Sequence, residues 1–454
     1  MKAKIVSRWI LASWLVGWTL ATGCRPNLGT PEETSDAGSP MSDAGTTPLD
    51  AGNPGPDAGS DAGPDAGSDA GLDAGTVLAQ RQVGEPRPNL MLLVDTSGSM
   101  VDPVDPSNPK CRASDGSVCG VTVDCDTSVC PTRWSELQAA MEGFLFSSTA
   151  ARTRIGLATF PSDDFCGASA ALSSPLPPAD KDDPDTLQQK AQEARNKLLA
   201  ISNSRSVSPH PQGGTPAGAS LQFVASLPEL QTTTREDFVL LLTDGPPNCN
   251  TAYPSPYPSP GCFCTLAECS YAKEIGCLDQ EPTVAAVDAL HAKGIKTIVV
   301  ALGKDYEPRS ELGRRWAALL NTLADRGNFP STGACTLDSD CGADSRCDRA
   351  TNQCDRRFYA AANASELTSA LQAVGDKLPR PSCLVRFEAA SAVTEAALEV
   401  SLEGKLLAPG MDAWHLTSEG VLFSGKTCQQ LQEATPAHPV AVEVRVARGG
   451  PSGG

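Results

Sequence analysis

Apolar and polar positions alternate along most of this chain in a way that predicts strands covered on both faces and helices with one apolar stripe. Residues 90–94 are all apolar, as expected for a strand buried between two layers. Segments 155–160, 238–242, 295–302 and 358–361 read as further buried strands. Between them, Trp134, Leu137, Met141 and Leu145 share one helical face, and Leu187, Ala191, Ala194, Leu198 and Ile201 share another. Helices over 284–293 and 315–325 stop at Gly294 and Gly327. A last helix, 364–378, starts at Asn363 with Glu366 three residues on, and carries Leu367, Leu371, Val374 and Leu378. Strand–helix alternation of this kind predicts an α/β fold with a doubly wound, mostly parallel sheet over 88–380. After Pro379 the pattern changes to short strands at 384–388, 398–402, 421–424 and 440–446. They predict a small all-β domain over 381–448, stapled by Cys383 and Cys428 and followed by a tail, 449–454.

The region before residue 88 has no such pattern. Asp-Ala-Gly begins at 36, 43, 50, 57, 61, 65, 69 and 73, and residues 31–75 contain no Lys or Arg. A segment this polar and acidic cannot bury enough surface to fold, so 24–87 is expected to be a disordered tether. Its root-mean-square span is roughly 40 Å and its full extension about 200 Å. Ahead of it, Lys2, Lys4 and Arg8 precede a short apolar stretch, 9–22, which reads as an export signal, 1–23. The run Leu20-Ala-Thr-Gly-Cys24 resembles a bacterial lipobox, which implies lipidation of Cys24. Arg25 stands where an Asp commonly retains lipoproteins in the inner membrane, so the expected location is the outer membrane, lipid-anchored at the cell surface. Two or more acyl chains hold a protein stably on a membrane. No apolar run reaches the length of a spanning helix.

Net charge changes the picture in one respect. At -18, with pI about 4.7, the chain is a poor partner for nucleic acid, whose phosphates must be met by Lys and Arg. An acidic chain does attract divalent cations. The first predicted strand ends in Asp95-Thr-Ser97-Gly-Ser99, a helix opens at Gly213-Gly-Thr215-Pro, and a third strand ends in Thr243-Asp244-Gly245. Ligands of open parallel sheets bind beyond the carboxyl ends of the strands, so these three segments can converge. Their hydroxyls and carboxylates are hard oxygen ligands, suited to Mg²⁺ first and also to Mn²⁺ or Ca²⁺.

With D-x-S-x-S, the Thr of G-G-T-P and T-D-G in that order, the chain resembles the von Willebrand factor A family over 88–380. That resemblance implies a metal-ion-dependent adhesion site made of Asp95, Ser97, Ser99, Thr215 and Asp244, with a coordination position left for a carboxylate from a substratum or protein partner. Together with the lipobox, acidic tether and cysteine-rich loops, the organisation resembles surface lipoproteins of myxobacteria, nearest the CglB family of adventurous-gliding motility adhesins. The resemblance implies an outer-membrane adhesin that supports gliding and couples to outer-membrane gliding machinery; a partner-binding scaffold outside motility is the alternative.

Seventeen cysteines point to an oxidising compartment and disulfides. Setting aside Cys24 leaves an even number. Cys111, Cys119, Cys125 and Cys130 form one cluster after the first motif. Cys249, Cys262, Cys264, Cys269 and Cys277 follow T-D-G and leave one over, for which Cys166 is the expected mate. Cys335, Cys341, Cys347 and Cys354 make a separate insertion, 335–354. A zinc site at Cys262 and Cys264 is disfavoured where thiols oxidise. Residues 420–427 satisfy the phosphate-loop pattern, but Val421, Leu422 and Phe423 read as a strand rather than a loop. His210, His291, His415 and His438 are scattered and no catalytic set emerges, so no enzymatic activity is expected.

Overall fold

In the computed structural model, residues 75–447 are described, apart from 121, 233, 251–261, 264–277, 305, 307–310, 342–344 and 389. The expected export signal, Cys24, the Asp-Ala-Gly run, Cys264, Cys269, Cys277 and the tail 449–454 lie outside the described residues.

In chain order the first elements are β1 (Val77–Val83), β2 (Asn89–Asp95), α1 (Arg133–Leu145), β3 (Arg154–Phe160), α2 (Pro184–Leu199), α3 (Ala217–Ala225) and β4 (Asp237–Thr243). Two short strands follow, β5 (Cys249–Asn250) and β6 (Cys262–Phe263), then α4 (Gln280–Ala292), β7 (Lys296–Leu302) and α5 (Glu311–Arg326). The cysteine-rich insertion holds β8 (Cys347–Asp348) and β9 (Gln353–Cys354), and leads to β10 (Tyr359–Ala361) and α6 (Ala364–Lys377). The rest is β11 (Leu384–Arg386), β12 (Leu398–Leu402), β13 (Lys405–Leu407), β14 (Trp414–Thr417), β15 (Gly420–Phe423), α7 (Gly425–Glu433) and β16 (Val440–Val446).

β2 lies inside a five-stranded sheet of order β10-β7-β4-β2-β3, in which every pairing is parallel. Alternation along β2 sends its side chains to opposite faces. Leu90, Leu92 and Val94 pack with Trp134 and Leu137 of α1, Ala191 of α2 and Leu367 of α6. Met91 and Leu93 pack with Leu221 of α3, Val287 of α4 and Leu319 of α5. With helices on both faces, the sheet is doubly wound, as the sequence predicts. Because β2 is covered twice, its apolar run has no polar alternation, and all seven residues are buried.

The C-terminal region departs from the expectation in two ways. It is not all-β: α7 packs Leu431 against Trp414, Val421 and Phe423. Its main sheet, β1-β16-β12-β13, is antiparallel and takes its first strand from the N-terminal side of the α/β region. The expected tether, 24–87, is therefore corrected at its end, since Val77–Val83 is a strand paired with Val440–Val446. β1 exposes most of its side chains, so apolar pattern gives no sign of it; backbone pairing with β16 makes it a strand. The α/β region is inserted into the C-terminal domain. Both crossings, 84–88 and 378–383, leave from the edge of the parallel sheet where its strands begin.

Disulfides join Cys111 to Cys130, Cys119 to Cys125, Cys166 to Cys249, Cys335 to Cys347, Cys341 to Cys354 and Cys383 to Cys428. Cys166 is paired as expected, and the C-terminal staple is present. Among the described residues, no helix is long and apolar enough to cross a membrane.

Candidate metal centre

β2 and β4 are parallel neighbours in register, with Val94 opposite Leu242. The next residue of β2, Asp95, therefore reaches the end of β4, where Thr243 Oγ1 donates to Asp95 Oδ2 at 2.7 Å. Asp244 follows Thr243 directly. Sheet register alone thus brings two carboxylates from distant segments to one edge. Ser97 N donates to the other oxygen of Asp95 at 2.8 Å, which turns the chain after β2. Ser97 Oγ and Ser99 Oγ lie 3.1 Å apart, and Ser99 Oγ donates to Asp244 Oδ1 at 2.9 Å.

Thr215 is delivered by a third segment. Gly98 N donates to Gly213 O, and Gln212 N donates to Thr96 O, which lays 212–213 along the first loop. Gly213 has φ +76°, and a Cβ there would come within 2.7 Å of Phe165 O, so only glycine fits. Gly214 N donates to Phe165 O, and Thr215 N donates to Asn248 Oδ1 at 2.8 Å. The Cys166–Cys249 disulfide ties together the two chains that supply these acceptors. Around Gly245, the Thr215 and Ser99 hydroxyls lie 3.7 and 3.9 Å from the position a Cβ would take, and the Trp316 ring lies 3.4 Å from it. All five residues expected at the site, Asp95, Ser97, Ser99, Thr215 and Asp244, are therefore brought together.

Asp95, Ser97, Thr215 and Asp244 are each at most 2% exposed. Burial first, and Asp244 second, push Asp95 up to about 7, against the hydrogen bonds from Ser97 and Thr243. Two carboxylates held side by side out of water favour a cation between them. With three hydroxyls beside them, the donor set fits a hard divalent ion.

Sequence reasoning missed Arg133. Its Nη1 donates to Asp244 Oδ2 at 2.9 Å, with 11% of the arginine side chain exposed. No motif marks this residue. The available signal was a cation on the first residue of α1, where the helix dipole disfavours positive charge. His291 lies near the C-terminus of α4 and His415 on β14. His210 lines a cavity of about 350 Å³ beside the first loop, with Thr96, Asp163 and Gln212.

The cysteine-rich insertion after the first motif begins and ends at the site. Asp102 N donates to Ser99 O, and Arg133 N donates to Asp102 O. The 335–354 insertion lies between α5 and the start of β10, at the opposite edge of the sheet.

No family model and no curated protein matches this sequence. Among solved structures, the chain is similar to the pilus adhesin SpaC of Lactobacillus rhamnosus GG, at 15% identity and TM-score 0.38, over 81% of this chain and 40% of that one. It is also similar to the pilus adhesin RrgA of Streptococcus pneumoniae, at 9% identity and TM-score 0.35, over 81% of this chain and 58% of that one. The SpRpn10 VWA domain matches at 9% identity and TM-score 0.25, over 52% of this chain and 82% of that one. The chain thus spans about two fifths of SpaC. Likeness this distant carries no function across.

Proposed function

We propose that this chain is a lipid-anchored outer-membrane adhesin that grips carboxylates of a substratum or protein partner through a divalent cation, Mg²⁺ foremost, and supports gliding motility together with outer-membrane gliding machinery. One observation carries the reading: three loops place the oxygens of Asp95, Ser97, Ser99, Thr215 and Asp244 at one edge of the parallel sheet. Ser97, Ser99 and Thr215 are the direct ligands in this reading; Asp95 and Asp244 ligate directly or through water. When bound, the ion supplies an electrophilic position for an incoming carboxylate oxygen. The chain's own part is to fix the donors. Thr243 holds Asp95, Ser99 holds Asp244, and the backbone pairings of 96–98 with 212–213 hold the hydroxyl loops in place. Both chain crossings to the C-terminal domain lie at the other edge of the sheet, so the site edge is left clear of them.

The test is adhesion and gliding of cells carrying Asp95→Ala, at surface levels matched to the unaltered protein. Loss of both is the expected result. Loss of adhesion alone removes the motility part. Retention of both overturns the metal-site reading in favour of a scaffold.

A further inference from the structure

Arg133 is placed at a cost. It occupies the first residue of α1, where the positive end of the helix dipole opposes it. Its side chain passes over Gly303, which has φ +98° and directly follows β7. A Cβ at Gly303 would lie 3.4 Å from Arg133 Nε and 3.7 Å from Cζ, so the guanidinium runs within contact distance of this backbone. The path ends at Asp244 Oδ2, 2.9 Å from Nη1, while Oδ1 of the same carboxylate takes the Ser99 hydroxyl. The Arg133 backbone is tied to the first loop through Asp102. A fixed positive charge therefore touches one of the two carboxylates that face the proposed cation.

We propose that Arg133 sets the charge of the metal site, weakening the hold on the cation and strengthening the attraction for an anionic ligand. This rests on the metal-site reading above. A guanidinium beside the carboxylates makes the site one charge less negative when empty and one charge more positive when loaded. Neutralising Arg133 removes that unit of positive charge from both states. The two affinities should therefore move in opposite directions when Arg133 is neutralised. A merely structural ion pair, lost on mutation, would loosen the loops and weaken both together.

The experiment uses the full mature chain in detergent micelles, with Mn²⁺ alone as the first probe, by titration calorimetry. The second probe is acetate added to the Mn²⁺-loaded protein. It is followed by water-proton relaxation, which falls when a metal-bound water is displaced. Arg133→Gln is expected to tighten Mn²⁺ by about tenfold, the effect of one charge removed from a partly solvated neighbourhood, and to weaken acetate several-fold. Arg133→Lys keeps the charge and should stay closer to the unaltered protein than Arg133→Gln does on both probes. Should Arg133→Gln fail to fold, Arg133→Met carries the same expectation. Unchanged or weaker Mn²⁺ binding by the neutral variant overturns the role of Arg133 and leaves the metal site standing. An unaltered protein that binds no Mn²⁺ overturns the metal-site reading, and the proposal with it.

Discussion

At the edge of the sheet away from the site, Asn89 and Asp237 begin the same two neighbouring strands that end at Asp95 and Thr243. Asn89 Nδ2 donates to Asp237 Oδ1 at 2.7 Å, and Arg154 Nε donates to Asn89 Oδ1 at 2.8 Å. Arg154 and Arg235 both pair with Asp182, at 2.6 and 3.0 Å. Burial pushes Asp237 up to about 6 despite the Asn89 hydrogen bond and the nearby arginines. The folded protein then holds this proton where the unfolded chain, near its ordinary value of 3.8, has already released it. Stability from this group is present at low pH and lost as pH rises through the folded value. Asp279, pushed up to about 6 by burial, acts in the same direction. Urea midpoints should therefore carry a falling contribution between pH 4 and pH 6, and Asp237→Asn should flatten that slope in part. A slope unchanged by the substitution would exclude Asp237 as its source.

Loops rather than strands decide how well the site is built. The Gly213–Thr215 segment has no partner strand among the described residues and depends on Phe165 O and Asn248 Oδ1. The disulfide Cys166–Cys249 closes a loop of sequence separation 83 next to both acceptors. Replacing both cysteines by alanine should cost about 2–4 kcal/mol of stability and weaken Mn²⁺ binding, because Thr215 loses its fixed cradle. Cys335→Ala with Cys347→Ala, at the other edge, should cost stability of its own module and leave Mn²⁺ binding alone. Equal Mn²⁺ affinity in both double variants would show that the Cys166–Cys249 bond does not support the site. Cysteine parity found the Cys166 bond in advance, because an odd cluster beside T-D-G needs a partner. The helix α7 was not legible. It has nine residues, and its Gly-Lys-Thr start carries no apolar stripe; only Leu431 is buried.

Across the whole molecule, the N-terminal strand belongs to the C-terminal domain. β1 pairs with β16 through six residue pairs, from Val77 opposite Arg445 to Val83 opposite Val440. Val83 joins Val400, Trp414 and Val442 in that domain's core. Gly84 then approaches Thr435 so closely that a Cβ would sit 2.5 Å from its carbonyl oxygen. A chain starting at residue 84 should leave β16 as an exposed edge and speed amide exchange across 398–402 and 440–446. Exchange across 89–95 should change little, since that strand is flanked by β3 and β4. Equal protection of 440–446 with and without β1 would show that the pairing adds no stability.

The sequence by itself determined the α/β alternation, the doubly wound sheet and the five residues at its edge. Each of those depends on short-range signals: unbroken apolar runs, apolar stripes at helical spacing, and hydroxyls and carboxylates placed where strands end. Only the tertiary structure decided that β1 is a strand, that the C-terminal domain is closed by the chain's own N-terminal side, and that Arg133 reaches Asp244. Those depend on partners far apart in sequence: 77 with 445, and 133 with 244. A polar strand and a surface-like arginine carry no local mark of the neighbour that gives them their place, because backbone pairing and ion pairing depend on position in space rather than on residue pattern.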